Sequence, residues 1–311
     1  MVLPDTALDR AASWTRRRTL PPAGAVAPGP ERVSVVLPAR DEEATVGDIV
    51  QALLDGPVAT GHVHEVLVVD SHSQDATAKV AAEAGARVVE AAGPVVAGKG
   101  DALLTGVREM TGGLGVFLDA DVVGFRPSVA VDLVTPLQRD PALVLVKGYY
   151  DRPWDGPGEQ VSGGRVTELV ARPLLGERAP ELAGLAQPLA GEAAFRRSAL
   201  LDVDFVSGYG VDIGHVLAVH ARHGLDALAQ VDLGERRHRH QDLAALGRMA
   251  LQVRAAFGLV LDGLERVDAE HAVPLGAEPG LTLHREVVST WRLGSPTGLT
   301  SVRRRPHRSG S

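Results

Sequence analysis

Two aspartates separated by one residue, Asp119 and Asp121, close the short apolar run Gly115-Val116-Phe117-Leu118. Such a run reads as a buried strand. Residues i and i+2 of an extended chain point to the same side, so both carboxylates can face one spot at the strand's carboxyl end. In an open α/β sheet that edge is where ligands sit. Two convergent carboxylates suit a hard divalent cation, and a cation there can hold a diphosphate. Alone, an Asp-x-Asp also fits a solvated turn; the rest of the chain has to decide.

Three more polar stretches follow predicted strands: Pro38–Glu43, Asp70–Asp75 and Gly98–Gly100. A doubly wound sheet brings such loops to one edge. A nucleotide bound there needs a base-and-ribose pocket, positive charge for its phosphates and acids for its ribose hydroxyls. Glu42 and Asp70 supply acids, and Lys99, between two glycines at a helix start, can approach a base or a phosphate. A plain surface lysine fits the same pattern. The Gly-x-x-x-x-Gly-Lys-Ser/Thr spacing of a P-loop is absent, and no Gly-x-Gly-x-x-Gly follows the first strand.

The elements that must position these groups alternate. Strands are predicted at Val33–Leu37, Glu65–Val69, Arg87–Glu90 and Gly115–Leu118, with helices running to Leu54 and over Ala76–Ala84 and Asp101–Met110. That order implies an α/β fold with a doubly wound, mostly parallel sheet. The second half is looser: helices over Val129–Leu137, Arg165–Leu175, Val211–His223 and Asp242–Phe257, strands at Leu143–Tyr149 and Ala227–Leu233, and a Gly- and Pro-rich segment, Asp151–Gly164, read as a mobile loop that orders on ligand binding. We divide the chain into an N-terminal arm or linker (1–31, with a short helix around Thr6–Arg18), a first half carrying the polar loops (32–125), a looser second half (126–267) and an irregular C-terminal tail (268–311).

Composition narrows the class. Of 311 residues, 45% are hydrophobic and 23% charged, which fits a folded protein with a real core. The net charge of −7 argues against a nucleic-acid binder, and the absence of cysteine excludes disulfide and thiol chemistry. No apolar run approaches the ~20 residues of a membrane-spanning helix, and the arginine-bearing N-terminal stretch lacks a secretory signal's apolar centre. A cytoplasmic protein with no membrane partner is expected.

Taken together, Val36-Leu37-Pro38-Ala39-Arg40-Asp41-Glu42-Glu43, Asp70-Ser71-His72-Ser73-Gln74-Asp75, Gly98-Lys99-Gly100 and Asp119-Ala120-Asp121 resemble the nucleotide half of a GT-A glycosyltransferase. The run Gly163-Gly164-Arg165-Val166-Thr167-Glu168-Leu169-Val170-Ala171-Arg172-Pro173, with Gln187-Pro188-Leu189, Gly208-Tyr209-Gly210-Val211 and His238-Arg239, is similar to the glucosyl-3-phosphoglycerate synthases of actinobacteria. The resemblance spans roughly Val33 to Phe257 and implies a GT-A fold with a C-terminal acceptor-binding extension. It implies a metal-dependent, retaining transfer of a hexose, glucose from UDP-glucose, to the 2-hydroxyl of 3-phosphoglycerate. By the same resemblance Pro38, Ala39, Glu42, Ser71 and Lys99 would hold the uridine. Asp121 and His238 would bind Mg2+ or Mn2+ on the diphosphate. Asp119 would lie nearer the ribose and sugar, and the backbone of Leu189 and the side chain of Asp212 would face the sugar. Gly164, Arg165, Thr167 and His240 would take the acceptor. A homodimer is the state the family suggests.

Four positions depart from the family pattern: His72 for Gly, Ala190 for Gly, Asp212 for Glu and His240 for Asn. Three of them flank the sugar or the acceptor. A GDP-linked donor with another small acceptor therefore stays open, as do a nucleotidyltransferase, whose Gly-rich triphosphate loop is missing here, and a non-catalytic sugar-nucleotide binder.

Overall fold

The computed structural model describes residues 6–93, 98–151, 164–235, 243–264, 266–274 and 281–291. In chain order the elements are α1 (Ala7–Arg18), β1 (Thr19–Leu20), β2 (Val33–Ala39), α2 (Val46–Leu53), β3 (Glu65–Asp70), α3 (Thr77–Glu83), β4 (Arg87–Glu90), α4 (Gly98–Glu109), β5 (Leu114–Phe117), α5 (Ser128–Arg139) and β6 (Leu145–Asp151). They continue with α6 (Arg172–Arg178), preceded by a π-helical turn at Thr167–Ala171, then β7 (Ala193–Arg196), α7 (Arg197–Leu200), β8 (Phe205–Val206), α8 (Val211–His223), β9 (Leu228–Glu235), α9 (Leu243–Leu261), β10 (Arg266–Pro274) and β11 (Leu281–Trp291).

Among the described residues the main sheet has eight strands in the order β1-β9-β6-β7-β5-β2-β3-β4. All neighbours are parallel except β7, which runs antiparallel to both β5 and β6. The doubly wound, mostly parallel sheet expected from the alternation is therefore present, with one reversed strand at its centre. Alternation along β2 sends Val33, Val35 and Leu37 into one core and Val36 into the other. A strand buried on both faces needs this continuous β-branched sequence. One core packs under α2 and α5, and the other under α4, α8 and α9.

Residues 6–31 are docked more closely than the expected arm or linker would be. Thr6 caps α1 in a reciprocal capping box with Asp9, a signal the Thr-x-x-Asp spacing carries. Trp14 is wholly buried, and its Nε1 donates to Leu228 O at 3.1 Å. β1 then adds to the sheet edge beside β9. The residue types responsible are one large aromatic and its indole N–H, which need a core and an acceptor. Trp14→Phe should keep most of the burial but remove the donor, costing ~1–2 kcal/mol; a denaturant titration against the parent chain checks it.

The C-terminal segment also differs. Where an irregular tail from residue 268 is expected, β10 and β11 pair antiparallel from Arg266↔Ser289 to Pro274↔Leu281, and β11 continues onto β8. The Pro and Gly residues read as breakers fall mainly between and after these strands. Of the expected mobile loop Asp151–Gly164 all but the two end residues, and the basic end at 303–305, lie outside the described residues. One qualification concerns membranes: α9, with 19 residues and a mean hydropathy of 1.3, is long and apolar enough by composition to cross one. It carries Arg248, Gln252 and Arg254, and its later turns bury Val253, Ala255, Ala256, Phe257 and Leu259 in the core.

Candidate active site

The carboxyl ends of β2, β3 and β5 meet in register. Ala39 pairs with Asp70, and the Ser71 N–H donates to Ala39 O at 2.8 Å. The loops after β2 and β3 are stitched together. Asp41 N–H donates to Ser73 Oγ (3.0 Å), Gln74 N–H to Asp41 Oδ1 (2.7 Å), Glu42 N–H to Thr77 Oγ1 (2.8 Å) and Ala76 N–H to Glu43 Oε2 (2.8 Å). Pro38, Ala39, Glu42 and Ser71 thus lie on two cross-linked segments at the ends of β2 and β3. Asp70 Oδ2 accepts from Ser73 N–H, while its Oδ1 is buried without a hydrogen-bond partner among the described residues, an acceptor left over for a donor from outside.

The same alternation carries past β5. Leu118 and Ala120 are buried, Asp119 is partly buried and Asp121 is exposed. Thr45 links this turn to the first loop: its hydroxyl donates to Ala120 O at 2.7 Å and lies 3.4 Å from Glu42 Oε2. Glu42 therefore borders the turn between the two aspartates.

Lys99 occupies the centre. Its Nζ lies 3.1 Å from Asp119 Oδ1 and 3.1 Å from Asp212 Oδ2, joining the start of α4, the end of β5 and the first turn of α8. Burial pushes its proton affinity down, but Asp119 and Asp212 outweigh that and hold the ammonium above the usual lysine range. For Asp212 burial dominates and pushes the carboxyl up, against the pull of Lys99 and Lys147. Gly100 lets α4 start here, since a Cβ would lie 2.0 Å from Val206 O. Gly100 thus serves close packing and Gly98 a left-handed backbone (φ 60°), and Lys99, expected beside a base or phosphate, is engaged with two acids. Gly191 backs onto the same cluster: its Cβ would stand 2.4 Å from Asp119 Oδ1 and 2.7 Å from Lys99 Nζ.

Leu189 and Ala190 lie in the turn before Gly191, closed by an Ala190 N–H to Gln187 O bond at 3.1 Å. The structure thus places Gly191, Asp119, Lys99 and Asp212 around one point, with Leu189 two residues earlier in the same turn. The segment bearing Gly164, Arg165 and Thr167 opens the helical stretch before α6, with Thr167 buried and Arg165 exposed. Arg172 connects it to the Leu189 turn. Its guanidinium sits 2.9 Å from Glu168 and donates to Leu185 O (3.3 Å) and Ala186 O (2.6 Å).

Among the described residues no group of three or more His, Asp or Glu side chains forms a metal cage. His238, the expected second ligand, and His240, the expected acceptor contact, lie outside the described residues. The donor set nonetheless fits a hard cation. Asp119 is neutralised by Lys99, and Asp121 stands exposed at the edge. β9 ends at Glu235 beside the loop that follows Asp121: Arg126 Nη2 donates to Leu233 O. Val122, Val123, Leu233 and Glu235 line one shared cavity. A cation held by one carboxylate and one imidazole would draw its remaining ligands from a bound diphosphate.

His72, at the position where glycine was expected, has a left-handed backbone (φ 60°). Its ring explains how it is kept there. Nδ1 lies 2.9 Å from Glu90 Oε1 and Nε2 lies 2.8 Å from Gly93 O. Two acceptors require two N–H donors, which is the imidazolium form. The bond to Gly93 raises the His72 pKa; burial opposes it, and Glu90 and Asp101 add to the rise. A raised folded-state pKa gives stability that is fully present below ~6.5 and is lost as pH rises through the folded value. The unfolding free energy of the parent chain relative to His72→Gly should therefore fall between pH 6 and pH 8; a difference that stays flat would refute the charged tie.

Lys147 and His215 are among the buried titratable groups that were not singled out by sequence. Lys147 is 3% exposed and donates to Ala190 O. His215, 4% exposed, stacks on Phe117 and meets Phe205 edge-on, and burial pushes its pKa down to about 3. A lysine inside the apolar run Leu143–Val146 and Gly148–Tyr150 was the available signal for the first.

Residues 34–202 match Glycosyl transferase family 2. Glucosyl-3-phosphoglycerate synthase of Mycolicibacterium paratuberculosis is 45% identical over 233 residues, covering 72% of this chain and 70% of that protein. The same enzyme of Petrotoga mobilis is 36% identical over 76% of this chain and 74% of its own. Among solved structures, mannosyl-3-phosphoglycerate synthase from Rubrobacter xylanophilus superposes with a TM-score of 0.79 at 37% identity, covering 91% of this chain and 96% of the other. Glucosyl-3-phosphoglycerate synthase from Mycobacterium tuberculosis, in complex with Mn2+, UDP-glucose and phosphoglyceric acid, gives 0.70 at 37% identity, covering 93% and 92%. With the fold, the Asp-x-Asp edge and this similarity over most of its length, the chain is a hexosyltransferase that belongs to glycosyl transferase family 2 and, within it, to the glucosyl-3-phosphoglycerate synthase family.

Proposed function

We propose that the chain transfers glucose from UDP-glucose to the 2-hydroxyl of 3-phosphoglycerate with retention of anomeric configuration. The observation that carries this is the convergence of Asp119, Lys99, Asp212 and the Leu189–Gly191 turn at the carboxyl edge of the sheet. Pro38, Ala39, Glu42, Asp70 and Ser71 form the uridine wall. A Mg2+ or Mn2+ ion held by Asp121 and His238 supplies neutralisation of the departing diphosphate. Asp119, fixed by Lys99, orients the ribose and sugar. The backbone of Leu189 and the carboxylate of Asp212 border the sugar, where partial positive charge develops at C1. Gly164, Arg165, Thr167 and His240 hold the acceptor; the guanidinium suits a phosphate or carboxylate because it bonds two oxygens at once. The C1–O bond to the diphosphate breaks as the 2-hydroxyl oxygen bonds C1 from the same face. The hydroxyl proton passes to the diphosphate oxygen, so no separate protein base is required.

Incubating the protein with Mg2+, UDP-glucose and 3-phosphoglycerate should release UDP in step with acceptor consumption. A folded sample that releases none with this pair refutes the substrate assignment. A GDP-linked mannosyl donor is the second reading, favoured by Asp212 standing at the sugar and by the similarity to a mannosyl-3-phosphoglycerate synthase. Thermal shifts with UDP against GDP, each with Mn2+, separate the two.

The division into a nucleotide half (32–125) and an acceptor half (126–267) follows from the same assignment. A cytoplasmic homodimer with no nucleic-acid or membrane partner completes it; light scattering behind a sizing column reads the dimer.

A further inference from the structure

Lys147 sits in the middle of β6, across from Ala193 of β7, with only 3% of its surface exposed. Burying an ammonium is costly unless it is paired and hydrogen-bonded. Among the described residues this one makes no direct ion pair with a carboxylate; it donates to Ala190 O. The acids within its field are Asp212 and Asp119, with Lys99 opposing. Burial, helped by Lys99, pushes its pKa down to about 8. An apolar side chain would fill this strand position at less cost, so the lysine is there for what its amine holds.

What it holds is the turn at the reaction centre. From one side Lys147 takes the Ala190 carbonyl. On the other, Gly191 packs against the Lys99–Asp119 pair so closely that no side chain fits. Two further bonds fix the flanks: Gln187 Nε2 donates to Tyr150 O, and Gly148 N–H donates to Glu192 O at 2.9 Å. The turn is thereby clamped between two lysines, one below on the sheet and one above with two acids.

We propose that Lys147 is a positioning residue for the transfer: by holding Ala190 O it sets the height and tilt of the Leu189–Gly191 backbone against the sugar. The proposal rests on the reading of that turn as the sugar-facing wall. A misplacement of ~1 Å at such a wall can cost about 100-fold in rate. The effect belongs to turnover and to the sugar, and not to the nucleotide, whose wall lies on β2 and β3.

The test uses Lys147→Met, which keeps the stem and removes the amine, and Lys147→Arg, which keeps a charge with a different reach. Each is measured for thermal midpoint, UDP affinity with Mn2+, UDP-glucose affinity and kcat. The expected result is a kcat lowered about 30- to 100-fold, with UDP affinity within about threefold of the parent and a weaker gain on going from UDP to UDP-glucose. Either variant folding and turning over within about threefold of the parent overturns the proposal. So does a loss of kcat that tracks lost UDP binding, or a failure of both variants to fold, each of which makes Lys147 a plain structural tie. Should the parent chain show no turnover with UDP-glucose and 3-phosphoglycerate, the substrate reading fails, and the affinity difference between nucleotide and nucleotide sugar still decides on Lys147.

Discussion

Asp121→Ala should lower kcat/KM by roughly 10³ while leaving the fold intact. Asp121 is exposed and lies beyond the end of β5, whose strand closes at Phe117; substitutions at such positions usually change stability by less than ~0.5 kcal/mol. Its neighbour differs. Asp119 is tied to Lys99, so Asp119→Ala disturbs the buried cluster as well as the substrate. The two carboxylates are therefore separable by experiment. With Asp121 gone, the proposed cation keeps one imidazole and the diphosphate, which is a poor set for a hard metal. Without charge neutralisation the departing diphosphate loses several kcal/mol of stabilisation. The prediction has a second readout. In the parent chain UDP binding should strengthen on adding Mn2+ and weaken on chelation; in Asp121→Ala it should be insensitive to both. A variant that keeps turnover and Mn2+-dependent UDP binding would show that Asp121 is not the ligand.

Much of the edge was legible because its signals are local. A β-branched run followed by polar residues gives the end of a strand, and period-two alternation gives the relation of Asp119 to Asp121. β4 falls on Arg87–Glu90 and α8 on Val211–His223, as the pattern predicts. What was not legible depends on contacts far apart in sequence. Nothing near Lys99 announces Asp212, 113 residues later. Trp14 looked like part of a peripheral arm because its acceptor, Leu228 O, is 214 residues away. The β10–β11 pair was hidden by Pro and Gly between the strands, since such residues mark a hairpin's turn as well as disorder. Reversal of β7 leaves no trace in a four-residue apolar strand, whose composition is the same in either direction. The left-handed backbone at His72 was masked because histidine gives no hint of it; glycine would have.

The second large effect is expected at Lys99. Lys99→Met removes the cation that two carboxylates share and leaves Asp212, 6% exposed, without its ion-pair partner. Breaking a buried pair on one side costs ~3–5 kcal/mol because the remaining charge is stranded. The cost should depend on pH. Burial already pushes Asp212 up, and without Lys99 its pKa rises further in the folded state. A carboxyl with a folded pKa above its unfolded value binds more protons when folded, so stability falls as pH rises. The deficit of Lys99→Met should thus be larger at pH 8 than at pH 5. Adding Asp212→Asn removes the stranded charge and should restore much of the stability at pH 8. It should not restore turnover, because the Lys99 ammonium that holds Asp119 is still missing; losses of about 10²–10³ are typical where a preorganised charge is removed. Stability and rate therefore part company in the double variant. Equal recovery of both would mean that the Lys99 cluster only holds the fold together. A Lys99→Met chain as stable as its parent at both pH values would mean that Asp212 is neutral in the native site.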